Sequence, residues 1–288
     1  MSNIAIVTDS TASIPEEMIK SLDIHVVPYY IHRGEVVLRD LVTIQREEFY
    51  NWLTTADILP KTACPGPGDF LEMYEQLVNE GFKEIVSIHI TSKGSGSYQA
   101  ALAAKSLILE KLPQLKIEIV DTLNVSLCHG WMVIEAARAA LAKVSFQDIL
   151  DKIRKMIPVT KMYQTADTLR YLYMGGRIGK AKHLVASLLN IKPIIGMDDG
   201  VIVALGVARN RKHAYELIAD MIKKNVGENA KIKTAYVHAA AKEEIEKLKV
   251  LVEERMTCVE SIVAELSPAL GVHSGPGTVG VCYFPVSD

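Results

Sequence analysis

Cysteine is scarce in this sequence, and the cysteines that are present lie far apart. There are four of them, Cys64, Cys128, Cys258 and Cys282. None belongs to a Cys-x-x-Cys pair, so the spacing favours neither a zinc site nor a disulfide framework. We therefore predict that the chain holds no metal ion, that its thiols are free, and that it works in the reducing cytoplasm.

Long apolar runs and blocks of one charge are also missing. No uninterrupted apolar stretch approaches the roughly 18 residues that a membrane helix requires. The N-terminal segment has no basic region and reaches Asp9 after a short apolar run, so we expect neither a signal peptide nor a membrane-spanning segment. The net charge is −2 and no long basic run occurs, which argues against nucleic acid as the main partner.

What the sequence does have is enough apolar residues for folded cores. Hydrophobic residues make up 49% of the 288 positions and charged residues 23%, so the chain is not disordered. This length suits two domains better than one. We predict a break near Pro158 that divides the chain into an N-terminal domain, residues 1–157, and a C-terminal domain, residues 158–288.

In the N-terminal half, short strand-like runs alternate with helical patterns. The alternation predicts an α/β domain with a mostly parallel sheet flanked by helices. Ser13 and Glu16 have the spacing of a capping box, and Thr43 is expected to open a helix that ends near Leu53. Predicted strands are residues 4–7, 24–31, 84–90 and 116–121, and residues 125–143 form a predicted helix. Residues 61–68 are predicted to be a loop before a helix that begins near Asp69, and the helix after residue 97 has a predicted buried face of Tyr98, Ala101, Leu102, Leu109 and Leu112.

The C-terminal half is predicted to be a second α/β domain with a mixed sheet. The run Asp198-Asp199-Gly200 between two apolar segments is typical of a β-hairpin, which makes one pair of strands antiparallel. The predicted strands are residues 159–165, 192–197, 201–207, 232–238, 258–266 and 279–284. The predicted helices are residues 168–174, 181–189, 211–224 and 242–255.

Ligands of parallel sheets gather in the loops beyond the carboxyl ends of the strands. Three loops of this kind are predicted: residues 8–13, residues 91–97 and the loop after Asp121. Ser95 and Gly96 lie between a strand and a helix, where hydroxyl groups and free backbone N–H groups can hold a phosphate or a carboxylate. An ordinary turn that only caps the helix would have the same composition, so this loop alone decides nothing.

The motifs that suggest an enzyme are incomplete. The Gly-x-Gly-x-x-Gly spacing of residues 275–280 opens a strand-like run instead of a helix, which does not fit a dinucleotide-binding fold. Ser95 as nucleophile with His273 as base would give a serine-dependent hydrolase or acyltransferase acting on acyl esters, but no third residue is marked to orient the histidine. A sensor of small anions or nucleotides is a third possibility.

Eight short motifs occur in order along nearly the whole chain. Examples are Thr-Asp-Ser-Thr at residues 8–11 and Gly-Gly-Arg-Ile at residues 175–178. Together the set resembles the DegV family, the fatty-acid-binding proteins of bacteria. The other motifs are residues 62–70, 90–99, 120–122 and 188–193, Arg209, and residues 273–277.

The resemblance implies two α/β domains with one long-chain fatty acid, such as palmitate, stearate or oleate, in a pocket between them. It implies a carrier rather than an enzyme, with no cofactor. The residues that match the family's carboxylate-binding positions are Thr62 and Ser95, with Gly96 in the same loop and His273 close by. The sequence departs from the family pattern at two places. Ala63 and Cys64 weaken the case for a second hydroxyl in the Thr62 loop, and Gly94 leaves the preferred acyl chain length open. The role of Asp9 is open as well.

The resemblance also implies a protein partner. Family members present the bound carboxylate to a bacterial fatty-acid kinase, which forms an acyl phosphate for phospholipid synthesis. Arg177 and Arg209 match the family's surface arginines that face this kinase or its phosphate. We therefore expect a fatty acid and a fatty-acid kinase subunit as the partners of this chain, and neither nucleic acid nor an integral membrane segment.

Overall fold

The computed structural model describes residues 3–187 and 191–286, and they fold into three β-sheets and the helices that cover them. In chain order the strands are β1 Ile4–Asp9, β2 Ile24–Val27, β3 Tyr30–Arg33, β4 Val36–Arg39, β5 Lys61–Ala63, β6 Glu84–His89, β7 Lys116–Asp121, β8 Lys161–Thr165, β9 Lys192–Asp198, β10 Val201–Ala208, β11 Lys231–His238, β12 Thr257–Glu265 and β13 Val279–Pro285. The α-helices are α1 Glu16–Ser21, α2 Arg46–Leu53, α3 Pro67–Asn79, α4 Ser97–Lys111, α5 Ser126–Leu141, α6 Phe146–Met156, α7 Arg170–Met174, α8 Arg211–Val226, α9 Lys242–Glu253 and α10 Pro268–Ser274. Two segments are 3-10 helices, Ser10–Ala12 and Gly179–Ser187.

The two large sheets confirm the predicted α/β class. The first has four parallel strands in the order β2-β1-β6-β7. The second has six strands in the order β10-β9-β8-β13-β11-β12, in which β11 and β12 are parallel and the other neighbours antiparallel. The predicted hairpin is confirmed, because Asp198 pairs with Val201 and the turn residues Asp199 and Gly200 both have positive φ.

A small third sheet, in the order β4-β3-β5, was not predicted. The single strand predicted for residues 24–31 is wrong, since it divides at Pro28 into β2 and β3, which belong to different sheets. Proline has no N–H to donate to a ladder, so the chain leaves the first sheet there. The predicted loop of residues 61–68 contains β5 and the first residues of α3.

Several predicted helix details are corrected. Ser13 does not cap α1: it has φ of 55°, and its hydroxyl accepts the backbone N–H of Ser267 at 3.0 Å. Thr43 does not open α2, because its hydroxyl accepts the backbone N–H of Arg39 at 2.7 Å and the helix begins three residues later. Leu102 is 36% exposed, while the buried face of α4 contains Ala104.

Other differences concern whole segments. Helices α6 and α10 were not predicted. The helix predicted for residues 181–189 is a 3-10 helix as far as Ser187, and residues 188–190, with part of the motif at 188–193, lie outside the described residues.

Helix α5 lies between the two large sheets and gives them a common core. Its side chains are buried on nearly all sides, as expected of a helix that is apolar all round. It packs on β1 and β6 of the first sheet and on β11 and β13 of the second. Trp131 of α5 meets Phe284 of β13 edge to face, with ring centroids 5.5 Å apart. The predicted halves are therefore joined by packing, not only by the chain.

The strands that α5 contacts are buried on both faces. In β1, Ile4 and Ile6 pack in the hydrophobic core that includes α5, whereas Ala5 and Val7 pack in a second core that includes α3 and α4. Successive side chains of a strand point to opposite faces, so this sheet is covered on both sides. The second sheet is likewise covered by α8 and α9 on its other side. The result is five layers, with α5 in the centre.

Gly130 brings α5 close to the end of β1. A β-carbon at this position would lie 2.6 Å from the backbone oxygen of Ala12 and 2.8 Å from the Cδ2 atom of Leu127. The first of these atoms belongs to the backbone and cannot move without shifting the loop after β1. The close approach therefore depends on glycine.

Replacing Gly130 by alanine is expected to lower the free energy of unfolding by about 2 to 3 kcal/mol, because overpacking forces the loop and the helix apart. Gly68→Ala is the matched control: Gly68 also lies in a helix, and a β-carbon there meets nothing within 4 Å. The control should keep its stability or gain up to about 1 kcal/mol. Urea unfolding of both variants measures the difference, and a Gly130→Ala protein as stable as Gly68→Ala would contradict this account.

Candidate ligand-binding site

A cavity of about 420 Å³ lies between the first and second sheets. Both predicted halves contribute to its walls, and its volume lies within the range of sites for small molecules. Much of the lining is apolar: Ile90, Val125, Met162, Leu172, Met197, Ile202, Leu266 and Leu270. Hydroxyl groups, one histidine and one arginine supply most of the polar lining, so the cavity suits a ligand with a long apolar part and a small polar group.

Ser95 lines the cavity from the loop that joins β6 to α4. Its Oγ lies 2.5 Å from the hydroxyl of Tyr29 and accepts the backbone N–H of Ser97 at 3.3 Å. Gly96 is the N-cap of α4 and also lines the cavity. A β-carbon at Gly96 would lie 3.2 Å from the Sγ atom of Cys64, so this loop packs directly against the end of β5.

Thr62 and His273 meet on the same wall. Thr62 is the middle residue of β5, and its Oγ1 lies 2.8 Å from His273 Nε2. His273 lies in the last turn of α10 rather than in a loop, and α10 is capped by Ser267, whose hydroxyl accepts the N–H of Leu270. Burial, helped by the charge of Arg177, lowers the pKa of His273 to about 4. The imidazole is therefore neutral near pH 7 and offers a hydrogen bond without a charge.

The two predicted surface arginines occupy different places. Arg177 lines the cavity and is exposed, and it donates to the backbone oxygens of Gly175 at 2.8 Å and Gly94 at 3.4 Å. It thus bridges the two halves at the cavity mouth. Arg209 is exposed, follows β10 and does not belong to the lining. The structure therefore brings together Thr62, Ser95, Gly96, His273 and Arg177, but not Arg209.

The hydrogen bonds do not form the serine–histidine pair that a serine hydrolase requires. His273 contacts Thr62 rather than Ser95, and Ser95 contacts Tyr29. In the described part of the chain, the other nitrogen of His273 has no hydrogen-bond partner, so no carboxylate orients the ring. A nucleophilic serine requires both a base and a group that orients it. The geometry therefore does not favour the hydrolase alternative.

A buried carboxylate, Asp9, organises the loop after β1. It accepts the backbone N–H of Thr11 at 3.2 Å and lies 3.0 Å from His89 Nδ1 and 3.4 Å from the N–H of Ile90. Burial alone would raise the pKa of Asp9, but the hydrogen bond with His89 and the nearby His129 lower it, so the carboxyl is ionised. Thr11 and Ile90 both line the cavity, which gives Asp9 a structural role at the site.

Tyr29 is a lining residue that the sequence reasoning missed. Its backbone is fixed from two sides: its N–H donates to Ser10 Oγ at 3.1 Å, and its oxygen accepts the N–H of Asp40 at 2.9 Å. Ser10 in turn donates to Asp40 Oδ2 at 2.6 Å. The only signal in the sequence was Pro28, which ends β2 immediately before Tyr29. Ser126, whose buried hydroxyl also lines the cavity, was missed as well.

Two further findings concern metal binding and membrane-spanning helices in the described residues. No group of three or more His, Cys, Asp or Glu side chains in residues 3–187 and 191–286 is arranged to hold a metal ion. Every helix in the same residues is too short or too polar to cross a lipid bilayer.

Comparisons with known proteins agree with this architecture over the whole chain. The family model described as "Uncharacterised protein, DegV family" matches residues 3–286. A DegV domain-containing protein of Clostridium acetobutylicum is 34% identical over 99% of both chains. The structure of a DegV family protein of Thermus thermophilus, described as fatty-acid-binding, is similar with a TM-score of 0.90 and 29% identity, and the match covers 99% of this chain and 100% of the other. A stearic-acid-binding protein of Eubacterium ventriosum has a TM-score of 0.89 and 27% identity over 98% of both chains.

Asp40 allows a test of the hydrogen bonds that hold the lining residue Tyr29, because its N–H donates to the oxygen of Tyr29 and its carboxyl accepts the hydroxyl of Ser10. Burial raises the pKa of Asp40 to about 7 despite the hydrogen bond from Ser10, whereas its ordinary value is 3.8. The folded protein then holds a proton that the unfolded chain has lost, so Asp40 makes stability fall as the pH rises from about 4 to about 7. Asp40→Asn removes this titration. We expect the variant to gain stability relative to wild type over this range, by up to about 4 kcal/mol at pH 8.

Urea unfolding of both proteins from pH 4 to pH 8 measures the gain. A difference in stability that stays constant over this range would show that the Asp40 carboxyl is not a buried, protonated group.

Proposed function

This chain belongs to the DegV family, and we propose that it binds one long-chain fatty acid in the cavity between its two halves. The observation that supports the proposal most is that Thr62 and Ser95, two hydroxyl-bearing residues, line one cavity with largely apolar walls. Family members of known structure are described as fatty-acid-binding, which is consistent with this arrangement. In the proposal, residues 1–157 hold the carboxylate through Thr62 of β5 and the loop that contains Ser95, and residues 158–288 cover the acyl chain.

The acyl chain would supply most of the binding free energy. Palmitate has about fourteen methylene groups, and each contributes roughly 0.8 kcal/mol when it is buried. Full enclosure therefore favours binding by on the order of 11 kcal/mol before the costs of association. The apolar walls formed by residues such as Ile90, Met162 and Leu270 are the surface against which this chain would pack.

The head group needs hydrogen bonds, because an unpaired carboxylate in such a cavity would cost several kcal/mol. We propose that Thr62 and Ser95 donate these bonds, with the amide of Gly96 nearby. His273, which is neutral near pH 7, would support Thr62 rather than neutralise the ligand's charge. A carboxylate only accepts hydrogen bonds, so it can receive the protons of both hydroxyls. The guanidinium of Arg177, which lines the same cavity, favours an anion over a protonated amine.

Replacing Thr62 and Ser95 together by alanine is expected to weaken palmitate binding by about 100-fold, since two hydrogen bonds to a charged group are lost. Calorimetric titration of the delipidated protein with palmitate measures the affinity. The control is Thr54→Ala with Ser106→Ala, two exposed hydroxyl residues on other surfaces. If the double variant at positions 62 and 95 bound palmitate as tightly as this control, the assignment of the carboxylate site would be wrong.

We further propose that the chain presents the bound carboxylate to a fatty-acid kinase in the cytoplasm, which would make it a substrate carrier for phospholipid synthesis. Arg177 at the cavity mouth and the exposed Arg209 are the side chains proposed to face the kinase or its nucleotide. Arginine suits this role because its planar fork matches phosphate oxygens. Arg177 also hydrogen-bonds Gly94 across the cavity mouth, so Arg209 gives the cleaner test.

Arg209→Ala should leave palmitate affinity unchanged and slow palmitoyl-phosphate formation by a bacterial fatty-acid kinase about tenfold or more, because only the partner contact is lost. Kinase turnover with palmitate-loaded protein measures this effect. Arg154→Ala serves as control, since Arg154 is an exposed arginine on α6. Equal kinase rates for the two variants would speak against Arg209 as a partner contact.

A further inference from the structure

The hydroxyl of Tyr29 is the nearest polar neighbour that the structure gives to Ser95 Oγ, at 2.5 Å. Tyr29 lines the same cavity and is 5% exposed, so this contact is shielded from solvent. Its ring packs in a small apolar cluster with Ile90 and Ala269. The phenol therefore belongs to the proposed head-group region, although neither the motifs nor the composition of the sequence marked it.

Either hydroxyl could donate in the hydrogen bond between Tyr29 and Ser95, and the groups around the pair favour Tyr29 as the donor. Ser95 Oγ accepts the N–H of Ser97 at 3.3 Å, and its second lone pair can accept the proton of Tyr29. Burial and the negative charge of Asp9 raise the pKa of Tyr29 well above its ordinary value, and they outweigh the Ser95 and Ser97 hydroxyls, which lower it. The phenol therefore keeps its proton. If Tyr29 donates this proton to Ser95, the single proton of Ser95 is free for an acceptor in the cavity.

The position of Tyr29 is fixed before any ligand arrives. Its backbone N–H and oxygen are bound by Ser10 and Asp40, and the Ser10 and Asp40 side chains are bound to each other. A donor held in this way costs little further entropy when the ligand binds. The aromatic ring has only two side-chain torsions, which restricts the direction of its hydroxyl further.

We propose that Tyr29 is a positioning residue for the ligand's head group: its hydroxyl donates to Ser95 and so directs the Ser95 proton toward a carboxylate. This inference rests on the proposed fatty-acid-binding function and extends it to head-group selection. A chain of hydroxyls that ends in a donor favours a free carboxylate over a neutral alcohol of the same length, because a hydrogen bond to an ionised acceptor is about twice as strong as one between neutral groups.

The test is Tyr29→Phe, which removes the hydroxyl and keeps the ring. Binding of palmitate and of 1-hexadecanol to the delipidated protein is measured by calorimetry for wild type and variant. We expect the palmitate dissociation constant to rise about five- to tenfold and the hexadecanol constant to rise less than twofold. Tyr30→Phe is the matched control, since the neighbouring Tyr30 hydroxyl donates to Asp69 and does not line the cavity.

A double-mutant cycle shows whether Tyr29 acts through Ser95. In a Ser95→Ala protein, Tyr29→Phe should have no further effect on palmitate binding. Equal losses for palmitate and hexadecanol would mean that the hydroxyl only maintains the fold, and that result would overturn the proposal. The same effect with and without Ser95 would also overturn it, because Tyr29 would then act on its own.

Wild-type binding separates this inference from the proposed function. If wild type binds palmitate and Tyr29→Phe binds it equally well, the positioning role is wrong and fatty-acid binding stands. If wild type does not bind palmitate at all, the proposed function itself is wrong.

Discussion

An anionic head group can be buried beside an apolar chain only if hydrogen-bond donors surround it, and in the proposed function this constraint accounts for the arrangement of the cavity. No buried lysine is needed, because hydroxyl groups can supply the donors. Thr62 and Ser95 come from β5 and from the loop before α4, and each is supported by a second polar group, His273 and Tyr29 respectively. The imidazole of His273 is neutral near pH 7. The two hydroxyls and the histidine that supports Thr62 therefore carry no charge that would have to lose its hydration.

The cavity exists because the two large sheets share a core without closing on each other. Helix α5 fills the space between them over most of its length, and Gly130 lets it approach the loop after β1. The cavity lies at the start of α5, where Val125 and Ser126 line it, and the loop of residues 91–96 contacts the β9–β10 hairpin there. Thr91 donates to the backbone oxygen of Gly200 at 2.9 Å, which connects the two sides at this point. The sheets are therefore packed together along α5, and a cavity large enough for a ligand remains beside its first residues.

Those parts of the fold that follow from local sequence could be predicted, and those that follow from distant contacts could not. The apolar run at residues 4–7 and the turn at Asp199 and Gly200 carry their own signals, so β1 and the β9–β10 hairpin were predicted correctly. The three-residue strand β5 is too short to show alternation, and it is defined by its pairing with β3. Thr62 and Ser95 were identified through family motifs. Tyr29 was not, because its role depends on a contact with a residue 66 positions away.

The central claim is that a fatty acid lies between the two halves with its carboxylate on Thr62 and Ser95. The most direct measurement is a crystal structure of the protein loaded with palmitate. This account predicts an unbranched chain of density along the apolar wall that includes Met162 and Leu270, with the carboxylate oxygens within hydrogen-bond distance of the two hydroxyls. A ligand in the opposite orientation, or palmitate bound only on the outer surface with the cavity filled by water, would contradict it.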